Sequence, residues 1–155
     1  MAVWSRLQKG AALSVVALAA VAGLAQGKGD FADLKPIPVV VMLGDKDNKL
    51  LFAPNTLRFE TGKLYKLLLV NASPQKHEFV AGELSDSVFT IKAEVVTANG
   101  EEIAEIGGII REIEMGPGVT VEWYFVPLRT VKEATFICDL PGHLAAGMKG
   151  TLKIE

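Results

Sequence analysis

Cys138, His143 and Met148 fall within one short stretch, CDLPGHLAAGM, and the only other histidine in the chain is His77. There is no second cysteine. A thiolate, an imidazole and a thioether at C-x4-H-x4-M spacing are three metal-ligand donors from one loop. A second imidazole can only be that of His77, 61 residues before Cys138. To use all four together, the chain must bring two distant segments to one pole. Two sheets packed face to face can do this, because strands remote in sequence end side by side.

The strand signals agree. Residues 37–43 are a β-branched run closed by the turn cluster GDKDN, and residues 57–60 alternate apolar and polar before Thr61-Gly62. Residues 64–70 are apolar nearly throughout, which predicts a central strand ended by Asn71-Ala72-Ser73-Pro74. Extended structure resumes at His77. Further strands are expected over 88–97, 111–115, 119–126, 134–138 and 150–154. The run VTVEWYFV at 119–126 is the clearest of them, β-branched and aromatic. Short strands at regular spacing with turns between them predict an all-β Greek-key β-sandwich. Residues 101–106, EEIAEI, fit either a helical turn or an edge strand.

The first 25 residues read differently. Arg6 and Lys9 precede an apolar run over 11–25, and Gly23 and Ala25 set small residues before a possible cut. That is the three-part pattern of a secretory signal peptide. As a helix the 15-residue run would span roughly 22 Å, short of the ~30 Å hydrocarbon core, which favours cleavage over an uncleaved membrane anchor. Residues 26–36 read as a linker and 37–155 as one domain. Removing 1–25 leaves 14 basic and 18 acidic residues, net −4. No basic stripe marks a nucleic-acid partner, and membrane contact is expected only if the N-terminal segment stays attached. In an oxidising compartment a lone thiol needs a reason, and metal ligation supplies one.

Singly, each of the four residues has an ordinary reading: a surface histidine, a buried small cysteine, a core-filling methionine. Together they form the donor set of a mononuclear blue-copper site. Thiolate and thioether suit Cu(I), and imidazole also suits Cu(II). Methionine is a poor zinc ligand, and the C-x-x-C-H run of haem attachment is absent.

The chain resembles the cupredoxins, the family of plastocyanin, azurin and rusticyanin, over about residues 37–155. Phe52-Ala53-Pro54-Asn55-Thr56-Leu57, Gly62, the segment 67–71 and His77-Glu78-Phe79 resemble the approach to the family's first histidine ligand. Cys138, His143 and Met148 match its closing ligand loop, and Gly150-Thr151-Leu152 its final strand. The spacing around His143 is closer to the rusticyanin and auracyanin loop than to that of plastocyanin. Residues 110–114, Pro117-Gly118 and 122–127 are similar to periplasmic bacterial cupredoxins associated with copper tolerance. The resemblance implies one type 1 copper ion held by His77, Cys138 and His143, with Met148 as a weak axial ligand. It also implies single-electron transfer to a redox partner such as a c-type cytochrome or an oxidase. One position departs from the pattern: several relatives carry Asn or Ser after the first histidine, and this chain has Glu78. Its carboxylate is expected to face solvent as an exposed strand residue; the alternative is a place behind the ligands, lowering the redox potential.

Leu140, Pro141, Leu144, Ala145 and Ala146 surround His143 in sequence and are expected to form an apolar rim around its exposed edge. Glu101, Glu102, Glu105, Glu112 and Glu114 form an acidic stretch, read as a solvated face, with a docking patch as the alternative. Three function classes follow: electron carrier, copper-tolerance or delivery protein, and enzyme. A catalytic copper would need further histidines, and both are already used, so the chain is expected not to be an enzyme.

Overall fold

The structure is a computed structural model that describes residues 34–97 and 99–155. The expectations for a signal peptide over 1–25, and for most of the linker that follows, lie outside the described residues. Among the described residues no helix is long and apolar enough to cross a membrane.

Among the described residues eleven strands form two sheets. The first sheet holds β1 (Ile37–Leu43), β2 (Phe52–Ala53), β4 (Tyr65–Asn71), β6 (Val88–Val96), β7 (Glu102–Ile106) and β9 (Thr120–Pro127), in the order β2-β1-β4-β9-β6-β7. The second holds β3 (Thr56–Phe59), β5 (His77–Val80), β8 (Glu112–Met115), β10 (Val131–Ile137) and β11 (Lys149–Ile154), in the order β3-β11-β10-β5-β8. Successive strands repeatedly cross from one sheet to the other. The expected all-β sandwich is therefore present, with one short helix, α1 (Gly82–Ser85), that the sequence did not announce.

Alternation explains the layers. Side chains two apart point to one face of a strand, so Val41 and Leu43, Leu67 and Leu69, and Val121, Trp123 and Phe125 enter the core from the first sheet. Leu57 and Phe59, Ala134 and Phe136, and Leu152 and Ile154 enter it from the second. The central strand β4 looked apolar nearly throughout, yet Lys66, Leu68 and Val70 lie on its half-buried outer face. Lys66 there pairs with Glu122 at 3.0 Å. Of the segment 101–106, Glu102–Ile106 form the edge strand β7, exposed along its whole length.

Two aromatic groups fill the core. Phe59, Tyr65, Phe125 and Trp123 stack edge to face or tilted, with centroids 5.0–6.0 Å apart. Phe52, Phe79 and Phe136 form the second group. Phe79 is two residues after His77 on β5, and Phe136 two before Cys138 at the end of β10. The same alternation that buries these rings aims His77 and Cys138 inward. Gly150 is forced by that packing: a Cβ there would meet the Phe136 ring at 2.1 Å and the Asn55 carbonyl at 2.6 Å.

Candidate metal centre

His77 opens β5 and is fully buried. Cys138 follows directly on β10 and is also fully buried. His143 and Met148 come from the loop between β10 and β11, where the chain folds back through short turns. The His143 N–H donates to the Leu140 carbonyl, the Met148 N–H to the His143 carbonyl, and the Cys138 N–H to the Met148 carbonyl, at 3.0–3.1 Å. Gly142 and Gly147 bracket this loop at φ 86° and 95°, left-handed conformations that favour glycine. The loop thereby holds Met148 against the backbone of both Cys138 and His143, with its side chain fully buried.

The donor atoms converge. His77 Nδ1 lies 3.3 Å from His143 Nδ1; Cys138 Sγ lies 3.1 Å from His143 Nδ1 and 4.0 Å from His77 Nδ1. The point equidistant from all three is about 2 Å from each, the length of a transition-metal bond to imidazole. Three donors facing one point, two of them imidazole nitrogens and one sulfur, fit a single type 1 copper ion. The far nitrogen of His77, Nε2, is buried without a hydrogen-bond partner.

Electrostatics point the same way. Burial holds the His77 pKa below its ordinary value, and the facing His143 lowers it further. Burial pushes the Cys138 thiol up, partly opposed by the N–H groups of Glu78 and Leu140. The protein alone thus favours the uncharged forms of His77 and Cys138, and a bound cation reverses that preference at the sulfur.

The shell behind the ligands contains residues that motif spacing did not identify. Gly44, at φ +68°, packs against the His77 ring: a Cβ there would lie 2.6 Å from Nε2 and 2.7 Å from the Ser73 Cβ. Asn71 is fully buried, and its Nδ2 lies 2.9 Å from the carbonyls of Gln75, Met115 and Gly116. Its Oδ1 accepts the Ser73 N–H at 3.0 Å. These contacts fix the turn that delivers His77.

Glu78 corrects the expectation of an exposed strand residue. It is only 8% exposed, and its N–H donates to Cys138 Sγ at 3.3 Å. Burial raises the pKa of its carboxyl, with Glu112 next in effect and Glu114 and Asp139 adding to it. By alternation it points to the face opposite His77 and Phe79, and it is covered there because β5 lies between β8 and β10. Glu78→Gln removes negative charge close to the sulfur and is expected to raise the reduction potential of the copper-loaded protein at neutral pH. Voltammetry checks this; an unchanged potential and spectrum would leave Glu78 only a packing role.

The apolar rim is present in outline. Pro141, Leu144, Ala145 and Ala146 are exposed beside His143, while Leu140 is half-buried against the core. The acidic stretch divides between two edges, with Glu101, Glu102 and Glu105 at or on β7 and Glu112 and Glu114 on β8. Glu105 faces Lys92 at 3.4 Å and Glu114 faces Lys76 at 3.0 Å.

No curated protein sequence matches the chain. Among solved structures it shares its fold with dithionite-reduced auracyanin from Roseiflexus castenholzii, at 18% identity and TM-score 0.52, over 76% of this chain and 96% of that one. It also shares it with a multicopper oxidase from Campylobacter jejuni, at 15% identity and TM-score 0.56, over 77% of this chain and 30% of that one. A copper-containing nitrite reductase from Thermus scotoductus is similar at 13% identity and TM-score 0.56, over 78% of this chain and 31% of that one. The chain thus spans nearly the whole auracyanin but under a third of either enzyme. The family described as copper binding proteins, plastocyanin/azurin family, matches residues 39–155. With that match spanning both sheets and every donor of the converging site, the chain belongs to the plastocyanin/azurin family of copper-binding proteins.

Proposed function

We propose that the protein is an exported, periplasmic electron carrier in which His77, Cys138 and His143 would hold one copper ion, with Met148 as a further, weaker donor. The observation that carries this reading is the buried triangle of donor atoms, about 2 Å from a common point. Bound copper supplies a one-electron couple between Cu(I) and Cu(II). The chain's own residues do the rest. The two strand-borne donors are held by core packing and His143 by a turn-rich loop, so the geometry changes little between oxidation states. The sandwich excludes water from every donor except the edge of His143, which is 9% exposed.

That edge opens among Pro141, Leu144, Ala145 and Ala146, an apolar surface suited to brief contact with a redox partner such as a c-type cytochrome or an oxidase. Both histidines are committed to this site, so a second, catalytic copper has no imidazole left to bind it. An Ala145→Lys variant is expected to keep the visible spectrum and to slow electron transfer to the partner. Stopped-flow oxidation by a candidate cytochrome measures it; an unchanged rate places docking elsewhere. Copper-sensitive growth of a deletion strain with normal respiration would instead favour copper tolerance. N-terminal sequencing of the exported protein tests removal of residues 1–25.

A further inference from the structure

The two sheets do not close on each other at one side. Between the β7 edge of the first sheet and the β8 edge of the second lies a cavity of about 510 Å³. Protein cores rarely hold voids much larger than a water molecule, and small-molecule sites run from roughly 300 to 1,000 Å³. Its walls are apolar side chains from four strands, among them Val95, Ile106, Ile113, Met115 and Val121. Charged side chains occur in the lining only at Arg111, Glu112 and Glu114. Arg111 is engaged by Asp86 at 2.5 Å and Glu114 by Lys76 at 3.0 Å, which leaves Glu112 as the one lining charge without an oppositely charged partner among the described residues.

The rim carries a second mark. Ile109 is 76% exposed, the most exposed large hydrophobic among the described residues, and it lines the same cavity. It follows Gly107 and Gly108, the latter at φ 98°. An apolar side chain held in water at the mouth of an apolar slot gains contact when the slot is filled. A charged or strongly polar guest would lose its hydration against these walls without replacement.

We infer that this slot binds an elongated, uncharged apolar molecule, an alkyl or isoprenoid chain with a neutral head group, lying between β7 and β8 with Ile109 folded over it. Glu112 at the rim disfavours a fatty carboxylate of the same length. Met115 forms part of the wall and pairs in register with His77, so the guest would lie behind the metal centre rather than at the His143 surface. The inference is independent of the electron-transfer reading.

The test uses the full, copper-loaded protein in its reduced, diamagnetic state. Titration with the neutral dye N-phenyl-1-naphthylamine is expected to give saturable 1:1 binding. Hexadecanol should displace the dye, and palmitate should do so at least several-fold less well. Ile109→Asp alters only an exposed rim position and should weaken dye binding about tenfold, while Val95→Phe should abolish it. With methionine methyls labelled with ¹³C, the Met115 signal should shift on hexadecanol binding. Absence of saturable binding, binding unaffected by Ile109→Asp, or an unmoved Met115 methyl would each overturn the assignment.

Discussion

Cys138→Ser is expected to eliminate the intense visible absorption of the copper-loaded protein and to lower copper affinity by more than the roughly 10–100-fold typical of an outer-shell change. The reason is chemical. Of the three facing donors, the thiolate alone gives a strong charge-transfer band with copper, and serine offers a hard oxygen that binds Cu(I) poorly. The replacement is close to isosteric at a fully buried position, so far-ultraviolet circular dichroism should be unchanged and loss of colour cannot be blamed on unfolding. A variant that kept the band would exclude Cys138 as the copper thiolate. The same sulfur gives the wild type a pH signature. Its pKa is raised by burial in the metal-free protein, so copper uptake releases its proton and apparent affinity climbs with pH until the free thiol ionises. Metal-free stability has the opposite sign at each end. The raised thiol pKa contributes stability that is lost as pH rises above the ordinary value of 9.0. The lowered His77 pKa contributes stability that is lost as pH falls below 6.5. The denaturation midpoint of the metal-free protein should therefore fall off on both sides of its maximum across pH, and Cys138→Ser should remove the alkaline contribution.

What the sequence disclosed followed from residue type and period. One cysteine and two histidines left little choice of donors, and the β-branched and aromatic run VTVEWYFV marked the clearest strand. The structure brings His77, Cys138 and His143 together as that scarcity implied. Three features escaped because their causes are tertiary. Glu78 looked like a surface residue by its charge, and only its place between β8 and β10 buries it. Gly44 read as one glycine of a turn cluster; that it must lack a Cβ depends on the His77 ring arriving from another sheet. The strand β2, two residues long, had no period to detect and exists through its pairing of Phe52 with Leu43. The apolar slot beside β8 was equally hidden, since Ile109 and Ile113 look like ordinary core positions until the sheets are seen to part there.

Asn71→Ala is expected to cost the folded protein on the order of 2–4 kcal/mol, because it strands several buried partners at once. The side chain sits at the end of β4 with no exposure. Its amide lies 2.9 Å from three main-chain carbonyls, and its oxygen accepts the Ser73 N–H. Met115 and Gly116 belong to the end of β8 and the turn after it, and Ser73 and Gln75 to the turn before His77. One amide thus ties the first sheet to the two segments of the second that flank the first histidine. Alanine cannot replace these bonds, and the hole it leaves is too enclosed for its walls to collapse freely. Ser73 in turn accepts the Gln75 N–H and bonds Asn48, so slack introduced at Asn71 passes into the turn that presses Gly44 against the His77 ring. The loss should appear in two places. Denaturant unfolding of the metal-free protein should shift to lower midpoint with unchanged slope. The copper-loaded variant should show a broadened or shifted absorption band, since His77 is no longer held in one orientation. Asn71→Asp separates the two effects: it keeps the acceptor for Ser73 but turns a donor toward three carbonyls into a charge that repels them, and it should destabilise at least as much as alanine. A midpoint unchanged in both variants would show that the turn before His77 is held by its own backbone and that Asn71 is incidental to the site.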